Sequence, residues 1–498
     1  MIFIILFVSL PQYNIIIIMC TIIGRKKEKA QLQRVINSGR AEFVAVYGRR
    51  RVGKTYLINE MIHDHVAFRH TGLSPYDRTR RVTLKEQLKN FHFSLLRYGM
   101  ENIAQPKSWM EAFFMLEQLL EQKYNGTRQV VFIDELPWMD TARSGFLTAL
   151  ETFWNGWGNS RHELCLIVCG SATSWMLDSL INNKGGLYGR LTCEIYLAPF
   201  TLRECEEFYR SRDITMSRYN IVQAYMIMGG IPFYMNCFTP SLSLAQNIDA
   251  LFFDNKPKLG DEFNRLFNSI FDNADACMSI VRTLGNRHGG YTREEIAKRI
   301  GCSPNGDLTK NLKALIASDF VFKYLPVGYG KREEHYKLID PFCWFWLHFM
   351  ENKQIRQSDY WQHHLQESEI SAWRGIAFEE LCFRHIPQIK QALQIAGVSS
   401  EESAYISRGE DGLSSGMQID LIINRQDDVV NACEMKFTKA PFIVSNAYAQ
   451  TIELRRETLE KFFPHKTVHA TLVTNLPMSR NSYSDVFQSQ VVLDDLFV

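Results

Sequence analysis

The sequence predicts an α/β fold that begins with a parallel sheet. Apolar strand-like runs alternate with helical patterns from Thr21 to about Phe200, as such a sheet requires. A glycine-rich loop separates one of these runs from the next helical pattern, and another run ends in two adjacent acids. Helical patterns with one hairpin follow, and a second α/β unit is expected from about residue 370 to residue 498.

Composition places the chain among folded soluble proteins. Its 498 residues predict about three domains, and a hydrophobic fraction of 46% supplies enough apolar side chains for several cores. The formal net charge of +2 points to no particular partner, so a nucleic-acid site would have to be a local patch. Eleven cysteines without a C-x-x-C pair predict free thiols in a reducing cytosol, and we expect a cytoplasmic protein.

The N-terminal segment allows three interpretations. Residues 2–23 carry no charge and are long enough to span a membrane, although Pro11 and the polar residues 12–14 interrupt them. A signal sequence is disfavoured because the segment has neither a positive start nor a small-residue cleavage site. We expect translation to start at Met19, so that residues 1–18 would not be translated, and we treat residues 1–20 as an N-terminal extension of uncertain status; a membrane anchor is the less favoured alternative.

The glycine-rich loop matches the phosphate-binding pattern G-x-x-x-x-G-K-[ST]. An apolar run at residues 42–47 precedes the loop and helical spacing follows it, which is the context that the pattern requires. Lys54 would reach the β- and γ-phosphates of a nucleotide, and the Thr55 hydroxyl would bind Mg²⁺. A glycine-rich turn that happens to contain a lysine is the weaker alternative. The residues expected to bind the cofactor are Gly48, Arg49, Arg50, Arg51, Val52, Gly53, Lys54 and Thr55.

The apolar run that ends in two acids predicts the second half of an ATPase site. Asp134 would hold Mg²⁺ through water, and Glu135 would polarise the attacking water. Another buried run ends at Ser171, which we expect near the γ-phosphate. The alternatives are an acid pair that faces solvent, and a serine that caps the helix after it.

Residues 185–190 form a glycine-rich loop that ends in an arginine. Delivered on such a loop, Arg190 would neutralise charge that develops on the γ-phosphate. The sequence leaves open whether it acts within one chain or on a neighbouring copy. A surface salt bridge is the alternative role.

Two further motifs suggest a family. Residues 22–28, with Arg25 in a Gly-Arg pair, and Gly229-Gly230-Ile231-Pro232 are similar to the entry segment and the lid turn of AAA-like and STAND-type P-loop ATPases. With the loop and the acids, they resemble the archaeal and bacterial ATPases often paired with a C-terminal domain called DUF234. That resemblance covers nearly all of residues 21–498. It implies ATP and Mg²⁺ as cofactors, with Arg25 beside the adenine and Pro232 approaching the base. Lys26 replaces a frequent acid, which weakens the entry motif.

The resemblance divides the chain into an ATPase core at residues 21–200, a helical lid at 201–265 and a winged helix-turn-helix at 266–350. Residues 292–316 show the helix-turn-helix pattern, and two strand-like runs at 320–324 and 334–338 would form the wing. DNA contact is one possible role and a protein–protein module is the other, because acidic residues are interspersed. The residues that would contact DNA are Lys310, Asn311, Lys313, Lys331 and Arg332.

The last region, residues 365–498, predicts a hairpin with clustered charges. Alternation along the strands places Glu434 and Lys436 on one face, with Asp420 beside them across the hairpin. Asp420 and Glu434 could share Mg²⁺, Lys436 could stabilise the transition state, and Glu379 from the preceding helix would complete the cluster. The pattern resembles the PD-(D/E)xK nuclease fold, although Ile419 stands where many members have proline. The alternative is an ordinary hairpin whose charges face water.

Together these features predict a P-loop ATPase that switches a DNA-directed, nuclease-like effector. Retained cleavage does not follow from the fold. The first rival is a non-cleaving, ATP-gated regulator that binds DNA or a protein partner, with self-association as a further possibility. The second rival is a membrane-tethered ATPase that uses residues 1–23.

Overall fold

The computed structural model describes residues 22–62, 65–77, 80–351, 358–406 and 417–498. Of Tyr76, Asp77, Lys331 and Ile406 it describes the backbone alone. The expectations about residues 1–20 lie outside this part of the chain. Within the described residues, no helix combines the length and apolarity needed to cross a membrane.

The described part of residues 22–200, the sheet region, contains seven strands and six α-helices. Five of the strands form a parallel sheet in the order β2-β5-β6-β1-β7. In chain order the elements are α1 (Lys26–Ile36), β1 (Glu42–Tyr47), α2 (Lys54–Ile62), β2 (Val66–Thr71), β3 (Tyr76–Asp77), β4 (Arg80–Arg81), α3 (Leu84–Arg97), α4 (Trp109–Lys123), β5 (Gln129–Asp134), α5 (Phe146–Gly156), β6 (Leu164–Gly170), α6 (Thr173–Trp175) and β7 (Cys193–Tyr196).

Both faces of this sheet are buried. Along β1, Val44 and Val46 pack into one apolar cluster, whereas Phe43 and Ala45 pack into a second cluster on the opposite face. Because helices cover both faces, the central strands β5, β6 and β1 are buried along nearly their whole length, whereas the edge strand β7 alternates buried and exposed residues. The predicted parallel α/β sheet is confirmed.

Residues 201–270, the lid region, are helical. The elements are α7 (Leu202–Arg210), α8 (Arg218–Met228), α9 (Pro232–Met235), α10 (Leu244–Ile248) and α11 (Glu262–Ile270). A π-helical turn at Asp249–Phe253 separates the last two. Thr201 and Glu204 form a capping box at the start of α7.

Residues 271–350, the central region, combine helices with a small antiparallel sheet in the order β8-β10-β9. A capping box at Thr292 and Glu295 begins α13, as expected, and Gly301 ends it with a φ of 70°. The elements are α12 (Ala274–Leu284), β8 (Tyr291–Thr292), α13 (Arg293–Ile300), α14 (Gly306–Ala317), β9 (Val321–Tyr324), β10 (His335–Leu338) and α15 (Pro341–Phe349). The aromatic side chains of α15 lie in the core.

Residues 358–498, the C-terminal region, form a five-stranded sheet in the order β11-β12-β13-β14-β15. The first three strands are antiparallel, and β13, β14 and β15 are parallel. The elements are α16 (Tyr360–His364), α17 (Ser368–Arg384), α18 (Ile386–Ala392), β11 (Ser400–Ile406), β12 (Gln418–Arg425), β13 (Val429–Lys436), α19 (Asn446–Phe462), β14 (Thr467–Thr474) and β15 (Ser489–Val492).

The four regions share one apolar core. A single cluster of buried side chains extends from Leu32 on α1 to Phe497 near the end of the chain. Across it, Tyr219 of the lid region stacks on Phe437 of the C-terminal region with ring centroids 5.3 Å apart. Burial of this kind stabilises contact between regions, so the sheet region and the later regions dock against each other.

Candidate nucleotide site

The glycine-rich loop after β1 has the geometry of a phosphate-binding loop. Gly48 has a φ of 137°, and a Cβ there would lie 2.4 Å from the Leu197 carbonyl oxygen, so only glycine fits. The buried Lys54 Nζ donates to the carbonyl oxygens of Gly48 and Arg49 at 2.8 and 3.0 Å. Burial lowers the pKa of Lys54. The phosphates of a nucleotide would favour its charged form.

Thr55 and Asp134 meet as expected, since α2 starts beside the carboxyl end of β5. The Thr55 hydroxyl donates to Asp134 Oδ2 at 3.0 Å, and Asp134 Oδ1 accepts a hydrogen bond from the Glu135 amide. A hydroxyl and a carboxylate side by side are the hard oxygen ligands that Mg²⁺ prefers. This pair therefore fits the ion that a bound nucleotide would bring.

Glu135 and Ser171 lie together at the ends of two neighbouring strands. The Ser171 amide and hydroxyl both donate to the Glu135 carboxylate, at distances of 2.8 to 3.1 Å. Glu135 has a φ of 50°, which turns its side chain at the strand end. No side chain caps α6, whose N-cap is Ala172, so the structure does not give Ser171 the capping role considered as its alternative.

The entry segment and the lid turn both lie against the phosphate-binding loop. The Arg25 guanidinium donates to the Val52 carbonyl oxygen at 3.3 Å, and the Arg25 amide donates to Glu204 at 2.8 Å. Pro232 begins α9, and the next residue, Phe233, lies 4.1 Å below the Arg51 guanidinium. The structure therefore brings the two motifs named for the adenine side to one place.

Residues 23–238 match the model of an ATPase domain found predominantly in archaea. The match includes the loop, both acids and the lid turn. This part of the chain is a P-loop ATPase domain.

The ATPase domain has relatives of low sequence identity. An uncharacterised protein of Methanocaldococcus jannaschii is 22% identical over 421 residues, which is 82% of this chain and 85% of that protein. A Walker-type ATPase of Pyrococcus abyssi is 18% identical with a TM-score of 0.46, covering 66% of this chain and 96% of that one. A STAND protein with a tetratricopeptide repeat sensor from Pyrococcus horikoshii is 12% identical with a TM-score of 0.30, covering 75% and 48%. Both TM-scores are below 0.5. The family match and the geometry of the site therefore support the P-loop ATPase domain, and the similarity of these structures does not add to them.

The side chains of the three loop arginines contact protein groups from outside the sheet region, so binding of the nucleotide by these residues would use their backbone amides and stays a prediction. Arg49 is 1% exposed and forms an ion pair with Asp340 at the start of α15. Arg51 forms an ion pair with Glu262 on α11, and Arg50 reaches the Ser269 carbonyl oxygen at 3.5 Å. A buried guanidinium needs a counter-charge, and the nearest carboxylates belong to later regions of the chain. Gly53 and Val52 remain part of the loop backbone, as expected.

Arg190 lies at the other end of the sheet from the loop. It precedes β7, whose first residue pairs with Val44, and Thr192 donates to the Phe43 carbonyl oxygen. The loop follows the opposite end of β1. This placement argues against a role of Arg190 at the nucleotide of its own chain, and action on a neighbouring copy stays a prediction.

The four charged residues expected in the C-terminal region gather around β13. Both oxygens of Glu434 are engaged: Oε1 contacts Lys436 Nζ at 2.6 Å and accepts a hydrogen bond from Tyr448, while Oε2 pairs with Arg455. The described residues contain no group of three or more His, Cys, Asp or Glu side chains that could hold a metal ion. Because both oxygens of Glu434 are paired with protein groups, Mg²⁺ binding by Asp420 and Glu434 would require these contacts to break, and it stays a prediction.

Two acids of this cluster have raised pKa values. Burial, together with Asp420 and Glu380, raises the pKa of Glu379 to about 9. Burial and the negative charge of Glu434 raise the pKa of Asp420 to about 6. Like charges in a poorly solvated site disfavour ionisation, so these acids are held close to one another by the fold.

His288, which joins this cluster from the central region, was not among the residues predicted from the sequence. His288 Nδ1 lies 3.3 Å from Glu379 Oε2, and Nε2 lies 2.7 Å from Glu380 Oε1. Glu380 also pairs with the buried Lys337 at 3.0 Å. The available signal was the pair of adjacent glutamates between apolar residues of α17, because a glutamate on the buried side of a helix needs a partner.

The helix expected to contact DNA faces the ATPase domain. Lys310, Asn311 and Lys313 on α14 line a cleft of about 670 Å³ whose opposite wall includes Trp138 and Trp175. Lys310 and Lys313 are exposed, and because α14 packs towards α6 they line this cleft together with Asn311, so contact of the three residues with a DNA groove stays a prediction. Arg332 is exposed, and the side chain of Lys331 lies outside the described residues.

Proposed function

We propose that Mg²⁺-dependent ATP binding and hydrolysis at this site switch a DNA-directed effector formed by the central and C-terminal regions. The observation that carries the proposal is the ion pair between Arg49 of the phosphate-binding loop and Asp340 of the central region. Because Arg49 is part of the phosphate-binding loop, nucleotide phosphates that rearrange the loop would also change the ion pair between Arg49 and Asp340. A ligand with different contacts in two conformations shifts the balance between them.

The residues that would carry out the nucleotide chemistry follow the carboxyl ends of β1, β5 and β6. Bound Mg²⁺ would be held by Thr55 and Asp134 and would supply charge neutralisation at the phosphates. Glu135 accepts a proton from, or orients, the attacking water, and Ser171 fixes the carboxylate that does so. Lys54 binds phosphate oxygens in place of the two carbonyl oxygens that it now contacts.

DNA is the proposed target because Lys310 and Lys313 are exposed on α14 within the helix-turn-helix pattern, and Arg332 is exposed on the expected wing. Lys310 and Lys313 line the cleft that faces the ATPase domain. Opening of the cleft would let a DNA phosphate backbone reach both side chains. The conformation described here would then be the one that binds DNA weakly.

Fluorescence anisotropy with labelled duplex DNA tests the switch. We expect tighter binding with a non-hydrolysable ATP analogue than with ADP, and no difference for Lys54→Ala. Lys310→Glu/Lys313→Glu should abolish the gain, whereas Lys89→Glu/Arg97→Glu, the same charge change on exposed positions of α3, should keep it. Equal DNA affinity in both nucleotide states would contradict the proposal.

Two forms of the effector are supported by different contacts. The convergence of Glu379, Asp420 and Lys436 around β13 supports a nuclease-like site. The contacts that occupy both oxygens of Glu434 support the second candidate, a non-cleaving ATP-gated regulator. Cleavage of duplex, single-stranded and branched DNA with Mg²⁺, with and without ATP, separates the two. Activity that is lost in Glu434→Ala/Lys436→Ala assigns the nuclease, and intact DNA in every condition assigns the regulator.

A further inference from the structure

Arg51 occupies a strained position in the phosphate-binding loop. Its φ is 73°, in the left-handed region that favours glycine, and it stands two residues before Gly53. Such a conformation persists in a non-glycine residue only when the surroundings hold it there. Neighbouring side chains must therefore hold Arg51 in this conformation.

The contacts that hold Arg51 come from the lid region. Glu262, on α11, forms an ion pair with the Arg51 guanidinium, and its side chain is only 4% exposed. The Tyr234 hydroxyl donates to the same Glu262 carboxylate at 3.0 Å, and Phe233 lies under the guanidinium. A carboxylate this buried needs its partner, so Glu262 and Arg51 fix each other.

We propose that Glu262 is a positioning residue for nucleotide binding, which acts through Arg51 to keep the phosphate-binding loop in its left-handed turn. The proposal rests on the nucleotide-binding part of the proposed function. Glu262 lies outside residues 23–238, the part of the chain that matches the ATPase family. The loop is therefore shaped only while α11 is docked, and nucleotide binding and lid docking strengthen each other reciprocally.

A double-mutant cycle on the full chain tests this coupling. Calorimetric titration with a non-hydrolysable ATP analogue and Mg²⁺ gives the dissociation constants of wild type, Glu262→Gln, Arg51→Gly and the double variant. The free-energy cost of holding an L-residue in the left-handed conformation corresponds to a roughly tenfold loss of nucleotide affinity, which is the loss we expect for the Glu262→Gln variant. In the Arg51→Gly background the same substitution should change the affinity little, because glycine adopts this turn without support.

Amide hydrogen exchange of residues 48–55 without nucleotide supplies a second readout. Glu262→Gln should speed exchange in the loop when residue 51 is arginine, and not when it is glycine. Asp261→Asn is the matched control, because Asp261 is 78% exposed and pairs only along its own helix with Arg265. It should leave affinity and exchange unchanged.

The possible outcomes separate this inference from the proposed function. Equal or tighter nucleotide binding by Glu262→Gln, or the same loss in both backgrounds, overturns the positioning role. A wild-type protein that binds no nucleotide counts against the proposed function, and loop exchange then decides the inference alone. Unchanged exchange in Glu262→Gln overturns it in that case as well.

Discussion

At the scale of single residues, the ATPase site depends on how one carboxylate is held. Glu135 must keep an orientation suited to the attacking water, and its left-handed backbone alone does not fix the side chain. Ser171 supplies two donors to that carboxylate from the neighbouring strand. Hydrogen bonds to charged groups are worth about 1.5–3 kcal/mol, so this contact is strong enough to set the orientation.

Ser171→Ala should lower ATP turnover about tenfold or more and leave ATP affinity unchanged. The variant keeps the amide donor and loses the hydroxyl, so Glu135 spends less time in its working orientation. Phosphate release and equilibrium nucleotide binding measure the two effects separately. Ser171→Thr retains a hydroxyl and should recover most of the turnover. Turnover by Ser171→Ala at or above the wild-type rate would show that the serine restrains Glu135 instead.

Two adjacent glutamates on α17 have opposite electrostatic environments. Burial and neighbouring acids raise the pKa of Glu379 to about 9. Burial also opposes ionisation of Glu380, but Lys337 and His288 outweigh it and lower the pKa of that residue. The fold therefore favours a protonated Glu379 beside an ionised Glu380.

Glu379→Gln should raise stability at pH 7–8, by roughly 1–3 kcal/mol. The native state holds the Glu379 proton up to about pH 9, whereas the unfolded chain loses it near pH 4.5, so wild-type stability falls as the pH rises between these values. Urea unfolding at pH 5 and pH 8 measures this, and the variant should lose less stability over that interval. Glu380→Gln is the matched control and should be destabilised, because Lys337 loses its partner. The same sign for both variants would contradict the assignment.

At the scale of elements, the phosphate-binding loop and α15 are joined by a buried ion pair. Arg49 and Asp340 are 1% and 0% exposed, and Asp340 also accepts a hydrogen bond from the Cys343 amide as the N-cap of α15. The guanidinium stands 4.9 Å from the centroid of the Phe320 ring. Loss of one partner would leave a buried charge without compensation.

Asp340→Asn should destabilise the protein by about 3–5 kcal/mol. It removes the counter-charge of Arg49 while it keeps a side chain able to cap α15. Thermal unfolding followed by circular dichroism gives the shift in midpoint. Asp494→Asn removes one carboxylate from an exposed pair with Arg218 and should cost less than 1 kcal/mol. Equal midpoints for the two variants would mean that the buried pair contributes nothing.

The elements differ in how well the sequence predicts them. The loop, both strand-end acids and two capping boxes follow from local spacing, because each uses residues close in the chain. The partners of the loop arginines do not, since Glu262 and Asp340 lie more than two hundred residues away. No local pattern in the sequence identifies which distant carboxylate a buried arginine selects. The cleft that covers α14 depends in the same way on how regions dock.

At the scale of the whole molecule, the nucleotide site is built from three regions. Loop arginines connect the sheet region to α11 and to α15, and the central region also contributes His288 to the cluster around Glu379. One apolar core runs through these contacts. In the proposed switch, a change at the phosphates would be transmitted through these packed side chains, whose two partners belong to different regions.

Such coupling has to be reciprocal, because each ligand changes the affinity for the other by the same factor. If ATP tightens DNA binding by opening the cleft, saturating duplex DNA must lower the dissociation constant for the non-hydrolysable ATP analogue by the same factor, expected between about 5 and 150. Calorimetry with and without DNA measures the factor by which DNA changes nucleotide affinity. Anisotropy with and without nucleotide measures the factor by which the nucleotide changes DNA affinity. Lys310→Glu/Lys313→Glu should bring both factors to one while nucleotide affinity without DNA stays at its wild-type value. A factor of one for the wild type would mean that the ATPase site and the basic face of α14 work independently.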